Sequence, residues 1–130
     1  MNHKNNITLE KVRVMLGEML DLDGKEITAE TYLIRDLGAE SIDLLELAVA
    51  INQGFSIKVQ DDQVFLWRLR FYMLDAAKNN ADVQSYLAGK YPFLDSARIT
   101  EILADHDSGP VLKVKDIISY INYQGSAAAN

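Results

Sequence analysis

Apolar residues recur at helical spacing early in the chain and predict a first helix over about residues 8–21. Thr8 is expected to cap this helix, and Asp23-Gly24 supplies a turn that ends it. A connecting loop over residues 25–35 is predicted to follow. The apolar stripe consists of Leu9, Val12, Leu16, Met19 and Leu20, and the loop anchors are Ile27, Tyr32 and Leu33.

A second helix is predicted over residues 41–53, with Gly54 as its C-terminal stop. Ser41 stands where an N-cap hydroxyl belongs. Asp43 falls in the first turn, where a negative charge complements the positive end of the helix dipole. A spacing of four residues predicts one buried stripe on this helix. The stripe is formed by Leu47, Ile51 and Phe55.

The last predicted helix begins near Val114 and carries a third apolar stripe. Before it lie residues 66–109, called the insert, which hold 6 of the chain's 11 aromatic residues. The pattern predicts a helix over 65–78 that is apolar nearly all round, a helical turn over 82–88, and a helix capped by Asp95 or Ser96. The last stripe is Val114, Ile117, Ile118 and Ile121, and the capped helix carries Ile99, Ile102 and Leu103.

Length and composition fit one globular domain, since the chain has 130 residues, 48% of them hydrophobic and 25% charged. The absence of cysteine excludes disulfides and thiolate chemistry. The first residues are not a signal peptide and no apolar run is long enough to cross a bilayer, so a cytoplasmic protein is expected.

The net charge of −6 lies in the first half of the chain, where residues 1–65 hold 12 acidic and 6 basic side chains. An acidic surface argues against nucleic acid and favours a partner with a basic patch. A metal site is not expected, because His3 and His106 share no ligand pattern. A hydrolase triad of Ser41, His106 and Asp107 is disfavoured, because acids beside the serine would oppose an oxyanion.

The run Leu37-Gly38-Ala39-Glu40-Ser41-Ile42-Asp43 resembles the phosphopantetheine attachment motif of acyl carrier proteins, whose core is usually Asp-Ser-Leu. Glu40 replaces the aspartate and Ile42 replaces the leucine, and both keep the chemical type. The resemblance covers about residues 7–66 and 111–123, and ordinary carriers lack the insert. It implies an all-α fold, an acyl-carrier-like four-helix bundle with an inserted helical subdomain before the last helix.

The resemblance further implies a carrier rather than an enzyme. Ser41 would bear 4′-phosphopantetheine, taken from coenzyme A, and an acyl group would be held on it as a thioester. The implied partners are a phosphopantetheinyl transferase and acyl-transferring or synthase enzymes with basic docking patches, and the chain would be a monomer. The residues expected to recognise these partners are Asp36, Glu40, Ile42, Asp43 and Glu46.

Two other interpretations stay open: a carrier-like docking module that is never modified, and a carrier of aminoacyl units. One domain is expected over residues 7–123, with the insert at about 66–109. Residues 1–6 and 124–130 are expected to be flexible termini. The role of the insert stays open: it packs on the bundle and adds core, or it extends the space for the acyl cargo with Trp67 beside it, or it offers a surface to a dedicated enzyme.

Overall fold

Helices form the regular structure of the protein in a computed structural model that describes residues 3–129 except 21, 23 and 24, with side chains described within 6–126. Over these residues there is no strand, and a single bridge joins Tyr32 to Lys113. The helices are α1 (His3–Met19), α2 (Ser41–Phe55), α3 (Asp61–Val64), α4 (Leu69–Lys78), α5 (Val83–Lys90), α6 (Ser96–Asp105), a 3₁₀ turn (His106–Ser108) and α7 (Val114–Ala129).

Three long helices and a short one form the bundle that the sequence predicts. Helix α1 packs against α2 and α7, and α3 packs against α7. The apolar stripes meet in a closed core, because one face of each helix must leave water. The most deeply buried core side chains, each with at most 1% exposure, include Val12, Leu16, Leu47, Ile51, Val64, Val114 and Ile117.

Several helix ends differ from the predictions. Helix α1 begins at His3, so Thr8 lies inside it, is buried, and donates a hydrogen bond to Asn122 Oδ1 of α7 at 3.2 Å. Gly54 lies inside α2, where a Cβ would come within 2.6 Å of Met15 Cε, and the left-handed Ser56 follows the helix end. Helix α7 continues to Ala129. The predicted turn at Asp23-Gly24 lies outside the described residues.

The predicted helix over 65–78 is wrong at its start, because α4 begins only at Leu69. Leu66 has a φ of 58°, and this left-handed residue breaks the helix between α3 and α4. The turn lets both Phe65 and Leu66 reach the core, where each is buried. Asp95, rather than Ser96, caps α6, because its carboxylate accepts a hydrogen bond from Arg98 N at 2.8 Å.

The insert shares the core of the bundle. Its buried residues Leu87, Ile99 and Ile102 belong to the same apolar cluster as those of α1, α2 and α7. A chain of aromatic rings runs from the insert into α7, with centroid separations of 5.6, 6.0 and 5.1 Å. The rings, in order, are Tyr72, Tyr91, Phe93 and Tyr120.

A buried ion pair also joins the insert to α7. Arg98 donates to both carboxylate oxygens of Asp116 at 2.7 and 2.8 Å, and to the carbonyl oxygen of Val111 at 2.7 Å. The two side chains are 6% and 1% exposed. The same carboxylate accepts a hydrogen bond from Lys113 N at 2.9 Å and thereby caps the start of α7. One ion pair therefore fixes both α6 and the N-terminus of α7.

We expect Arg98→Met to lower the free energy of unfolding by about 3–5 kcal/mol, because it leaves the Asp116 carboxylate buried without its countercharge. Urea unfolding followed by circular dichroism measures the effect. The control is Arg13→Met, which removes an exposed pair with Glu10 and should cost at most about 1 kcal/mol. Equal losses in the two variants would contradict a special role for the buried pair.

Candidate functional site

The loop before α2 is fixed by hydrogen bonds to its own backbone and to the segment before α7. Gly38 N donates to Ile34 O and Ala39 N donates to Leu33 O, both at 3.0 Å. Leu33 N in turn donates to Leu112 O at 3.1 Å. The Asp36 carboxylate accepts from Tyr32 N at 2.9 Å and closes the first turn of the loop. The loop is therefore a rigid approach to α2.

The backbone of this loop favours a glycine at position 38. Its φ is +69°, a conformation that costs a residue with a side chain about 1 kcal/mol or more. A Cβ at this position would meet no neighbouring atom within 4 Å. The preference for glycine therefore comes from the backbone conformation and not from a crowded neighbourhood.

Ser41 is the first residue of α2, not its N-cap, and this corrects the prediction by one position. Glu40 is the N-cap, and the Asp43 carboxylate reaches back to accept a hydrogen bond from Glu40 N at 2.8 Å. The Ser41 side chain is exposed, and its hydroxyl makes no hydrogen bond within the described part of the chain. Because the Asp43 carboxylate forms this capping hydrogen bond, the Ser41 hydroxyl stays available for chemistry.

The geometry at Ser41 fits a covalently bound phosphate. The first turn of a helix presents N–H groups without intrahelical partners, and the helix dipole adds a partial positive charge there. The first intrahelical bond of α2 runs from Leu44 N to Glu40 O, so the N–H groups of residues 41–43 precede the regular ladder. A phosphodiester on Ser41 would lie at this end of α2, where an anion is favoured.

The predicted recognition residues occupy the surface around Ser41, with one difference in role. Asp36, Glu40 and Glu46 are exposed, and Ile42 is 64% exposed. Asp43 is half-buried and holds the cap, so its charge is partly committed to the helix. No described basic side chain forms an ion pair with any of these acids. Lys25 Nζ lies beside Asp36 and donates to its carbonyl oxygen at 3.0 Å, so the negative charge open to a cationic partner is that of Glu40 and Glu46.

Two exposed apolar residues of α2 were missed at the sequence level. Leu45 and Val49 are 45% and 56% exposed and lie on one face with Ile42 at helical spacing. They border a shallow groove of about 360 Å³ that continues to Val59 and Asp61. The signal was present in the pattern, because a helix that buries Leu47 and Ile51 turns residues 45 and 49 outward.

The histidine and carboxylates of residues 105–107 make no described hydrogen bond or ion pair with Ser41. Asp105 accepts hydrogen bonds from Tyr32 Oη at 2.6 Å and from Arg35 at 3.0 Å, and these two bonds lower its pKa below the ordinary value. His106 lies beside Asp107 in the 3₁₀ turn. Within the described residues, no three His, Cys, Asp or Glu side chains cluster as a metal site, and no helix is long and apolar enough to cross a membrane.

Comparison with known proteins finds a family profile that covers the region around Ser41. The family profile "Phosphopantetheine attachment site" matches residues 10–68, a range that holds most of α1, the loop, α2 and α3 and ends three residues into the insert. The acyl carrier protein of Helicobacter pylori is 35% identical over 54 residues, which cover 42% of this chain and 69% of that protein. No solved structure matches the chain with statistical significance.

Replacing Gly38 with alanine should lower the free energy of unfolding by about 1–2 kcal/mol, because alanine must adopt the left-handed backbone of the loop. The matched control is Gly17→Ala, also in open space but inside α1. There alanine should raise the free energy of unfolding by about 0.5–1 kcal/mol. Thermal unfolding of both variants measures the difference, and a stabilising Gly38→Ala would show that the positive φ is not required.

Proposed function

The chain belongs to the acyl carrier protein family, and we propose that Ser41 is the residue that bears its cofactor. Proteins of this family are carriers rather than enzymes, and their cofactor is covalently attached 4′-phosphopantetheine. The cofactor supplies a terminal thiol, on which an acyl group is held as a thioester. The observation that carries the assignment is the exposed, unbonded hydroxyl of Ser41 at the first position of α2.

Attachment needs a nucleophile, a leaving group and a base. Ser41 Oγ forms the new bond to phosphorus of coenzyme A while the bond to adenosine 3′,5′-bisphosphate breaks. The proton of the hydroxyl must leave, and the neighbouring acids in sequence, Glu40 and Asp43, form the cap of α2 and make no described hydrogen bond to Ser41. We therefore assign the base to a phosphopantetheinyl transferase, and the role of this chain is to present the hydroxyl on a rigid helix end.

The partners proposed for this site have basic docking patches beside an apolar contact. Glu40 next to Ser41 and Glu46 further along α2 supply exposed negative charge, and Ile42, Leu45 and Val49 supply exposed apolar area. Charge complementarity raises the association rate, whereas desolvated apolar side chains contribute affinity. We propose delivery to fatty-acid, lipid or polyketide enzymes in the cytoplasm, with the carrier as a monomer. An unmodified docking module and an aminoacyl carrier are the alternatives that the next experiment separates.

We expect Ser41→Ala to abolish the mass gain seen when the protein is incubated with coenzyme A and a broad phosphopantetheinyl transferase. Intact-protein mass spectrometry measures the gain. Since Ser41 is exposed and does not cap α2, the substitution should change the free energy of unfolding by no more than about 0.5 kcal/mol.

The matched control is Ser96→Ala, because Ser96 is also an exposed first residue of a helix behind an acidic N-cap. This variant should be modified like the wild type. A mass gain in Ser41→Ala would move the attachment site elsewhere. No mass gain in the wild type would favour the unmodified docking module, and an aminoacyl adduct on the natively purified protein would favour the third interpretation.

Glu46→Lys should slow modification about fivefold at low ionic strength, because reversing one charge about 8 Å from a basic group changes the Coulomb energy by about 1 kcal/mol in water. Glu46 suits the test because it is exposed and, unlike Asp43, does not cap α2. Stopped-flow or quenched transfer rates at several salt concentrations measure the effect, which should fade as salt screens the charges. The control is Glu18→Lys, the same charge change on α1. Equal rates for both variants would remove Glu46 from the docking surface.

A further inference from the structure

A cleft of about 390 Å³ opens between the start of the insert and the segment that leads into α7. One wall is formed by residues 65–67, 69, 70 and 73, and the other by residues 106, 107 and 109–112. Its side chains are predominantly apolar, with Arg70, His106 and Asp107 as the polar members. The only tryptophan of the chain, Trp67, lines it and is 43% exposed.

Both walls of this cleft are held in place. The left-handed turn at Leu66 anchors the first wall, because Phe65 and Leu66 are buried in the core. Arg35 supports the second wall by donating hydrogen bonds to Gly109 O at 2.9 Å and Asp105 O at 3.2 Å. Gly109 has a φ of 132°, which carries the chain over the Arg35 side chain. The cleft is therefore preformed, as ligand sites usually are.

The cleft begins close to the attachment loop. Ile34 lines it, and the carbonyl of the preceding Leu33 accepts the hydrogen bond from Ala39 N at 3.0 Å. Ser41 follows Ala39 by two residues, which span at most about 7 Å. Ser41 N therefore lies within about 10 Å of the peptide between residues 33 and 34. An arm as long as about five extended residues spans roughly 16 Å. A group tethered to Ser41 by such an arm can reach the mouth of the cleft.

We propose that this cleft receives the aliphatic portion of an acyl group tethered to Ser41, an inference that rests on the proposed function. The ligand must be apolar, because the lining offers few polar partners. An apolar ligand gives up no hydrogen bonds when it moves from water into the cleft. The walls come largely from the insert, so the insert gives this carrier a cargo site beside its core.

The test compares three forms of the protein: the free thiol, an acetyl thioester and a dodecanoyl thioester, each made with the transferase and the matching coenzyme A derivative. Intact mass verifies each load before any other measurement. Because Trp67 is the only tryptophan, emission and acrylamide quenching report on the cleft alone. We expect the dodecanoyl form to emit at shorter wavelength and to be quenched less than the other two forms.

Protection of the thioester gives a second readout. Hydroxylamine cleavage should slow as the chain lengthens, by up to about fourfold for each CH₂ that enters the cleft. Leu69→Phe fills the cleft from its wall and should remove this protection. Met73→Phe does the same from the next turn of α4 and serves if the first variant fails to fold. The control is Leu74→Phe, because Leu74 is 66% exposed and does not line the cleft.

Each outcome separates the two proposals. Failure of the wild type to gain any mass overturns the proposed function. Verified loading with identical Trp67 emission in all three forms overturns the cleft site and leaves the carrier role intact. An equal response to acetyl and dodecanoyl loads shows that the arm alone reaches the cleft and also overturns it. A chain-length-dependent response that is lost in the wall variants and kept in Leu74→Phe supports the site.

Discussion

The buried pair between Arg98 and Asp116 is the constraint on which the arrangement of the whole chain depends. Charges this deep in a protein are tolerated only when every hydrogen-bonding position is used. Arg98 bonds Asp116 and the carbonyl of Val111, and Asp116 also caps the backbone at Lys113. The pair therefore sets the place where α7 begins, and α7 is the helix that packs against both α1 and α3.

The attachment loop is supported by the same end of α7. Val114 N and Lys115 N donate to Thr31 O and Ala29 O at 2.9 Å, and Leu112 O accepts from Leu33 N. Polar side chains reinforce this contact: the Lys115 ammonium bridges the carboxylates of Glu30 and Glu101 at 3.0 and 2.9 Å. The first residues of α7 thus connect the insert to the loop that positions Ser41, although the insert is distant from Ser41 in sequence.

Sequence patterns predicted the features that depend on local spacing. The stripes of α1, α2 and α7 and the placing of the α6 cap at Asp95 or Ser96 all follow from residues within a turn or two of each other. The N-cap of α2 was predicted one residue too late, because Glu40 and Ser41 are both polar. Only the hydrogen bond from Glu40 N to the Asp43 carboxylate identifies Glu40 as the N-cap. The left-handed Leu66 gave no signal, since leucine rarely adopts that conformation. The cleft joins segments about 40 residues apart, and no local pattern encodes such a juxtaposition.

The contact between the first and last helices has a consequence for the order in which the protein is made. Thr8 of α1 bonds Asn122 of α7, and 114 positions separate them. At a synthesis rate of about 5–20 residues per second, the second partner follows the first by roughly 6–23 s. During that interval, α2 and the exposed serine have already left the ribosome without the helix that closes their core. The bundle is therefore completed only after the insert has been translated. Until then, the insert must not form stable non-native contacts with the first half of the chain.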